Sequence, residues 1–93
     1  MTERKSIHAV ISGKVQGVWF RQSTKQTAQA LGISGSAVNL SDGRVEVHAH
    51  GTPEAIEKLI EWLHEGPEQA IVNEVLISEY SGNDNTPEGF TTG

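Results

Sequence analysis

Residues 13–21, GKVQGVWFR, connect a segment with strand periodicity to a segment with helix periodicity. We predict a strand over residues 6–12 and a helix over residues 22–31. A turn from strand to helix directs consecutive backbone N–H groups to one point near a helix N-terminus, which is the geometry of an anion site. Arg21 adds a planar, permanently charged guanidinium at the same place. The stretch therefore predicts a phosphate-binding loop that needs no metal.

The side chains of this loop are expected to have different tasks. Gly17 permits backbone torsions closed to other residues and lets the main chain approach a phosphate closely. Phe20 begins a helical apolar stripe and is expected in the core, whereas Gln16 is expected to contribute mainly its backbone. For Trp19 we favour a packing role, with contact to the ligand at the mouth of the site as the alternative.

The remaining periodicity predicts a strand, helix, strand, strand, helix, strand order. The later elements are a strand over residues 34–40, a turn at 41–43, a strand over 44–50, a helix opened by residues 52–54 and ended at 66–67, and a strand over 70–80. Apolar stripes mark the buried faces: Ile7, Ala9 and Ile11; Phe20, Thr24, Ala28 and Leu31; Val45, Val47 and Ala49; Ile56, Leu59, Ile60 and Leu63. This order predicts an α+β, ferredoxin-like βαββαβ sandwich, with both helices on one face of a four-stranded antiparallel sheet.

Composition limits the classes of function. The chain has 93 residues, which we take as a single domain over 1–93, and no cysteine, which excludes disulfides and thiolate chemistry. Seven basic and twelve acidic residues give a formal charge of −5, which argues against a nucleic-acid-binding face. No apolar run is long enough to span a membrane. We therefore expect a cytoplasmic monomer that acts on a small anionic molecule.

The loop resembles the active-site loop of the acylphosphatases, small enzymes that cleave carboxyl–phosphate anhydrides. Weaker matches follow in the right order over roughly residues 6–80: Leu31, Gly32, Ile33, Gly35, Asn39, the run 42–47 (DGRVEV), Gly51, Gly66 and Pro67. Members of that family usually close with a short edge strand ending in a basic residue. Here the sequence reads FTTG at 90–93, so the question whether a short fifth edge strand forms is left open.

The resemblance implies the roles of the site residues. Arg21 matches the phosphate-binding arginine, and Asn39 matches the asparagine whose side-chain amide positions the attacking water. The phosphate-binding loop is then Val15, Gln16, Gly17, Val18, Trp19, Phe20 and Arg21. The substrate is an acyl phosphate, the products are a carboxylate and inorganic phosphate, and neither metal nor cofactor is expected. No general base is assigned, because the family is thought to let the substrate's own phosphate take the proton.

Three histidines require a separate interpretation. His48 and His50 lie two residues apart on one predicted strand, and His8 faces the same side of the neighbouring strand. They can form an adventitious metal site, or they are three solvent-facing histidines on an uncovered sheet surface. We favour the second interpretation, because no carboxylate pattern accompanies them.

Other functions remain as alternatives. A ferredoxin-like module can bind a phosphorylated metabolite without catalysis, since the fold hosts many functions. Asn39 argues for an enzyme, because a binding module has no need of a water-positioning amide. A domain fused to a larger enzyme that uses carbamoyl phosphate, as in hydrogenase-maturation proteins, is disfavoured by the free ends at residues 1 and 93. RNA binding through the sheet face that the helices leave uncovered is the weakest alternative, because that face lacks the aromatic residues on which RNA bases stack.

Overall fold

The computed structural model describes residues 4–80 and 89–92. In that part of the chain the elements are β1 (Lys5–Lys14), α1 (Phe20–Ala30), β2 (Ser34–Asn39), β3 (Val45–Gly51), α2 (Pro53–Glu65), β4 (Ile71–Tyr80) and β5 (Phe90–Thr92). The predicted α+β order is confirmed. Helix α1 begins two residues before the predicted start, so Phe20 and Arg21 belong to its first turn. Neither helix is long and apolar enough to cross a membrane in the described residues.

The five strands form one mixed sheet in the order β4-β1-β3-β2-β5. Strand β1 pairs antiparallel with β3 and β4, β2 pairs antiparallel with β3, and β5 pairs parallel with β2. The prediction of a four-stranded, purely antiparallel sheet was thus incomplete, and the fifth edge strand is present. Three residues are too few to show strand periodicity, but Phe90 is only 3% exposed and attaches this strand to the core.

Both helices pack on one face of the sheet, as predicted. The buried sheet residues on this face include Ile7, Ala9 and Ile11 of β1, and Val45, Val47 and Ala49 of β3. Helix α1 buries Phe20, Thr24 and Ala28, and α2 buries Ala55, Ile56, Leu59 and Leu63. Apart from the polar Thr24, these side chains belong to a single apolar cluster. The core therefore lies between the helices and the sheet, and the loop after β1 emerges at its edge.

Helix α2 begins with the features that the sequence predicts. Thr52 is the N-cap, and its hydroxyl oxygen accepts a hydrogen bond of 3.2 Å from the backbone N–H of Ala55. Pro53 occupies the first turn, where its missing N–H costs no helical hydrogen bond, and Glu54 follows near the positive end of the helix dipole. Side-chain capping therefore fixes the start of this helix.

Gly35 on β2 is paired with Ala49 of β3. Its φ is +141°, and a Cβ at this position would overlap the backbone carbonyl of His48. We expect Gly35→Ala to lower the free energy of unfolding by about 3 kcal/mol or more, because left-handed strain adds to a clash with backbone that cannot move aside. Urea denaturation measures this loss.

Gly43→Ala is the matched control for Gly35→Ala. Gly43 also has a positive φ of +95°, but no atom lies within 4 Å of a Cβ built there. This variant should lose only about 1 kcal/mol from backbone strain. Equal losses in the two variants would mean that the overlap with the His48 carbonyl has no energetic consequence.

The face of the sheet opposite the helices, called the open face below, carries the three histidines. His50 is only 7% exposed, and its Nδ1 lies 2.7 Å from the hydroxyl oxygen of Ser6. Burial lowers the pKa of His50, and the nearby charges of His48 and Arg4 act in the same direction. The prediction of three solvent-facing histidines is therefore wrong for His50, which lies against its register partner Ser6 of β1.

A carboxylate also accompanies these histidines, contrary to the expectation. Glu46 Oε2 lies 2.8 Å from His8 Nε2. This hydrogen bond is the main cause of a lowered pKa for the Glu46 carboxyl group, and His48 contributes in the same direction. Glu46 lies two residues before His48, so the two side chains share one face of β3. The contact of Glu46 with His8 on β1 depends on the strand register.

Candidate active site

The connection between β1 and α1 has unusual backbone geometry. Gly17 has φ +75° and Trp19 has φ +63°, so both lie in the left-handed region. Left-handed torsions are natural for glycine but strained for a bulky aromatic residue, and such strain is concentrated at functional sites. Turn conformations of this kind are those from which anion-binding concavities of N–H groups are built.

Helix α1 begins within this loop without side-chain capping. Trp19 is the N-cap residue, and its side chain makes no capping hydrogen bond. Ser23 donates the first helical hydrogen bond, of 2.8 Å, to the carbonyl of Trp19. The first amides of an α-helix have no partner inside the helix, so they are suited to an anion. Helices α1 and α2 thus differ at their N-termini, since Thr52 caps only the second.

A cavity of about 360 Å³ opens beside this helix start. It is lined by Val15, Gly17, Trp19, Phe20, Arg21, Gln22, Asn39 and Thr92. Arg21 is half-buried and is the one charged side chain among these lining residues. The cavity therefore combines a fixed positive charge with a helix N-terminus, which favours a small anion.

Asn39 reaches the cavity from the last position of β2. It lies two residues after Ala37, which is fully buried, so the two residues share the helix-covered face of the sheet. The Asn39 side chain is exposed. An exposed amide that lines a cavity is available to bind a ligand or a water molecule.

Gln16 attaches the loop to the turn that follows Asn39. Its side-chain Nε2 donates hydrogen bonds to the carbonyls of Leu40, at 2.8 Å, and Arg44, at 3.0 Å. The turn is itself held by Asp42, whose carboxylate accepts a 2.7 Å hydrogen bond from Arg44 Nε. This hydrogen bond lowers the pKa of the Asp42 carboxyl group. The loop and Asn39 are therefore held in a defined relative position by Gln16.

A family model described as acylphosphatase matches residues 7–92. The chain belongs to the acylphosphatase family. A protein of Hahella chejuensis named acylphosphatase is 53% identical over 88 residues, which are 95% of this chain and 93% of that relative. The predicted family is thereby confirmed.

Solved structures agree with this assignment. An acylphosphatase from Coxiella burnetii matches with a TM-score of 0.90 and 42% identity, covering 97% of this chain and 93% of its own. An acylphosphatase from Bacillus subtilis matches with a TM-score of 0.91 and 26% identity, covering 96% of this chain and 98% of its own. The fold described above is therefore the fold of that family.

The structure brings most of the predicted site residues to one cavity. Arg21 and Asn39 both line it, as do Val15, Gly17, Trp19 and Phe20. Gln16 and Val18 do not line it; Val18 is buried, and Gln16 makes the two side-chain hydrogen bonds described above. The expectation that Gln16 contributes mainly its backbone overlooked these bonds.

Sequence reasoning missed two lining residues. Gln22 follows Arg21 in the first turn of α1 and lines the cavity. The sequence prediction began the helix at residue 22 rather than at Phe20, and the correct start would have placed Gln22 beside Arg21 in this turn. Thr92 reaches the cavity because β5 pairs in parallel with β2, with Ala37 as its partner. Nothing in the local sequence of a three-residue strand indicates this pairing.

Trp19 does not pack in the core. Its side chain is 76% exposed although it lines the cavity. The favoured packing interpretation was therefore wrong, and the alternative position at the mouth of the site is the one observed. The left-handed backbone at Trp19 turns its side chain away from the core, while Val18 and Phe20 on either side are buried.

Proposed function

We propose that this cavity hydrolyses acyl phosphates to a carboxylate and inorganic phosphate, with the phosphoryl group held by Arg21 and the 15–21 loop and the attacking water positioned by Asn39. The observation that carries the proposal is one cavity lined by a helix N-terminus, by Arg21 and by Asn39. Membership of the acylphosphatase family supports the reaction class.

Binding of the phosphoryl group follows from the charges at the cavity. A guanidinium donates two parallel hydrogen bonds to two phosphate oxygens, and loop amides accommodate the remaining oxygens. As the bond to the leaving carboxylate lengthens, charge is distributed over the phosphoryl oxygens. Fixed donors aimed at these oxygens stabilise the transition state without needing to reorganise.

Water attack on phosphorus completes the reaction. The Asn39 side-chain carbonyl accepts a hydrogen bond from the water, which aligns the water opposite the acyl oxygen. The new P–O bond forms as the old one breaks, and the electron pair leaves with the carboxylate. No Asp, Glu or His is among the described residues that line the cavity. This supports transfer of the water proton to a phosphoryl oxygen of the substrate, from which it is released to solvent.

Phosphate release from benzoyl phosphate tests the proposal. We expect steady turnover by the wild-type protein in the presence of EDTA, with competitive inhibition by inorganic phosphate. A monoester such as p-nitrophenyl phosphate should be cleaved orders of magnitude more slowly, since its leaving group is poorer. If phosphate binds but benzoyl phosphate is not hydrolysed above the buffer rate, the cavity is a binding site and the enzymatic proposal fails.

Trp19→Ala should affect the acyl part of the substrate. Because the indole lies exposed at the mouth of the cavity, we expect it to contact an aromatic acyl group. The variant should raise KM for benzoyl phosphate about fivefold to tenfold, the size of one lost aromatic contact. Its KM for acetyl phosphate should stay unchanged, because that acyl group is too small to reach the ring.

The two substrates provide the control for the Trp19 prediction. Trp19→Phe keeps an aromatic ring and should retain most of the preference for benzoyl phosphate. An equal rise in KM for both substrates would place the effect in the loop backbone and would contradict a role for the ring.

We further propose that the chain acts as a single-domain monomer in the cytoplasm. The single apolar cluster, to which elements from β1 to β5 contribute, supports one domain. Light scattering coupled to gel filtration should give the mass of one chain, 10.0 kDa. A mass of twice this value would contradict the monomer.

A further inference from the structure

The open face of the sheet brings three metal-binding side chains together. His8 on β1 and His48 on β3 are direct partners in the antiparallel register, and Glu46 lies two residues before His48. Directly opposed residues have Cβ atoms about 5 Å apart, so their side chains meet. The two imidazole rings have centroids 4.7 Å apart.

The nitrogens of both rings converge on the same carboxylate. His8 Nε2 lies 2.8 Å from Glu46 Oε2, and His48 Nε2 lies 3.7 Å from Glu46 Oε1. All three side chains offer a ligating atom within 4.8 Å of one another. With metal–ligand bonds of about 2.0–2.1 Å, tetrahedral ligands lie about 3.3 Å apart. Atoms that already lie within 4.8 Å of one another therefore need to approach by at most about 1.5 Å.

The cluster is accessible to an ion from solution. The side chains of His8, Glu46 and His48 are 31%, 29% and 41% exposed. Partial burial fixes their positions, and partial exposure leaves a path for the ion and room for a water ligand. Two imidazoles and one carboxylate, with water in the fourth position, form a known zinc ligand set. Imidazole nitrogens favour such metals over Mg²⁺ and Ca²⁺, which prefer oxygen.

We propose that His8, Glu46 and His48 bind one divalent transition-metal ion of the zinc type on the open face of the sheet. The ion replaces the hydrogen bond between His8 and Glu46 and joins β1 to β3. The sequence argued against a metal site because no carboxylate accompanied the histidines, and Glu46 supplies that carboxylate.

The proposed metal site is separate from the cavity of the proposed function. Along β1, His8 alternates with Ile7 and Ala9, which are fully buried under the helices, so His8 faces the other side. Asn39 lies on the helix-covered side of the sheet, like Ala37. Metal binding should therefore leave hydrolysis of acyl phosphates unchanged.

Calorimetric titration of tag-free, EDTA-stripped protein with ZnCl₂ tests the proposal. We expect one equivalent of Zn²⁺ per chain, a raised Tm in the presence of the metal, and visible absorption bands when Co²⁺ replaces Zn²⁺. A hundredfold excess of Mg²⁺ should not compete. Absence of saturable Zn²⁺ binding in the stripped protein would overturn the proposal.

Four variants assign the ligands. His8→Asn, His48→Asn and Glu46→Gln should each weaken Zn²⁺ binding at least tenfold, while His64→Asn should not, because His64 lies exposed on α2. Hydrolysis of benzoyl phosphate by all four variants reports that they are folded. Unchanged affinity in His48→Asn, or loss of binding in His64→Asn, would show that the ion binds elsewhere.

Discussion

Arg21→Ala is expected to reduce kcat/KM for benzoyl phosphate by about a thousandfold or more and to abolish measurable binding of inorganic phosphate. The physical reason is that Arg21 is the one charged side chain among the described residues lining the cavity. Charge-assisted bidentate bonds are the strongest available to a phosphoryl group, and their loss affects both the bound substrate and the transition state. Initial rates and competitive inhibition by phosphate measure both effects.

Arg21→Lys separates the charge of Arg21 from its geometry, and a variant of another arginine is the control. Arg21→Lys keeps the positive charge but lacks the planar fork, so it should recover part of the phosphate affinity and little of kcat. Arg4→Ala is the control, because Arg4 directly precedes the start of β1 and the loop follows the other end of that strand. This variant should leave kcat/KM and phosphate affinity unchanged. If Arg21→Ala retained phosphate affinity, the loop amides alone would hold the ligand and the proposed role of Arg21 would be wrong.

The fold was largely predictable because most of its elements are long enough to show periodicity. The alternation of Ile7, Ala9 and Ile11 and the helical stripe of α2 each identify a buried face. Both faces are observed, although Ile60 of the predicted α2 stripe is only partly buried. The sequence left strand β5 open rather than predicting it, because one apolar residue, Phe90, carries its attachment to the core. A parallel pairing formed by three residues depends on tertiary contacts rather than on local pattern.

The site was predictable where its parts are local in sequence. The glycines, the helix start and Arg21 lie within nine residues, so spacing alone places them together. The hydrogen bonds of Gln16 with Leu40 and Arg44 join residues separated by 24 and 28 positions, and no local pattern contains them. The contact between His8 and Glu46 likewise depends on register, which fixes which residues of two strands face each other.

Asn39→Ala should separate water positioning from phosphate binding. We expect kcat for benzoyl phosphate to fall by about a hundredfold to a thousandfold, since a misplaced water loses the alignment that the reaction requires. The affinity for inorganic phosphate should change by less than about twofold, because Arg21 and the loop remain. The fold should tolerate the change, since the Asn39 side chain is exposed.

Asn73→Ala is the matched control, because Asn73 is also an exposed strand asparagine but lies on β4 and does not line the cavity. It should leave kcat and phosphate affinity unchanged.

The pair of variants Arg21→Ala and Asn39→Ala shows whether phosphate binding and water alignment depend on different groups. An enzyme of the proposed type loses affinity with the first and turnover with the second, because different groups bind the phosphoryl group and align the water. If Asn39→Ala kept the wild-type kcat, the water would be aligned without this amide, and the assignment of Asn39 would be wrong even though the cavity still hydrolyses acyl phosphates.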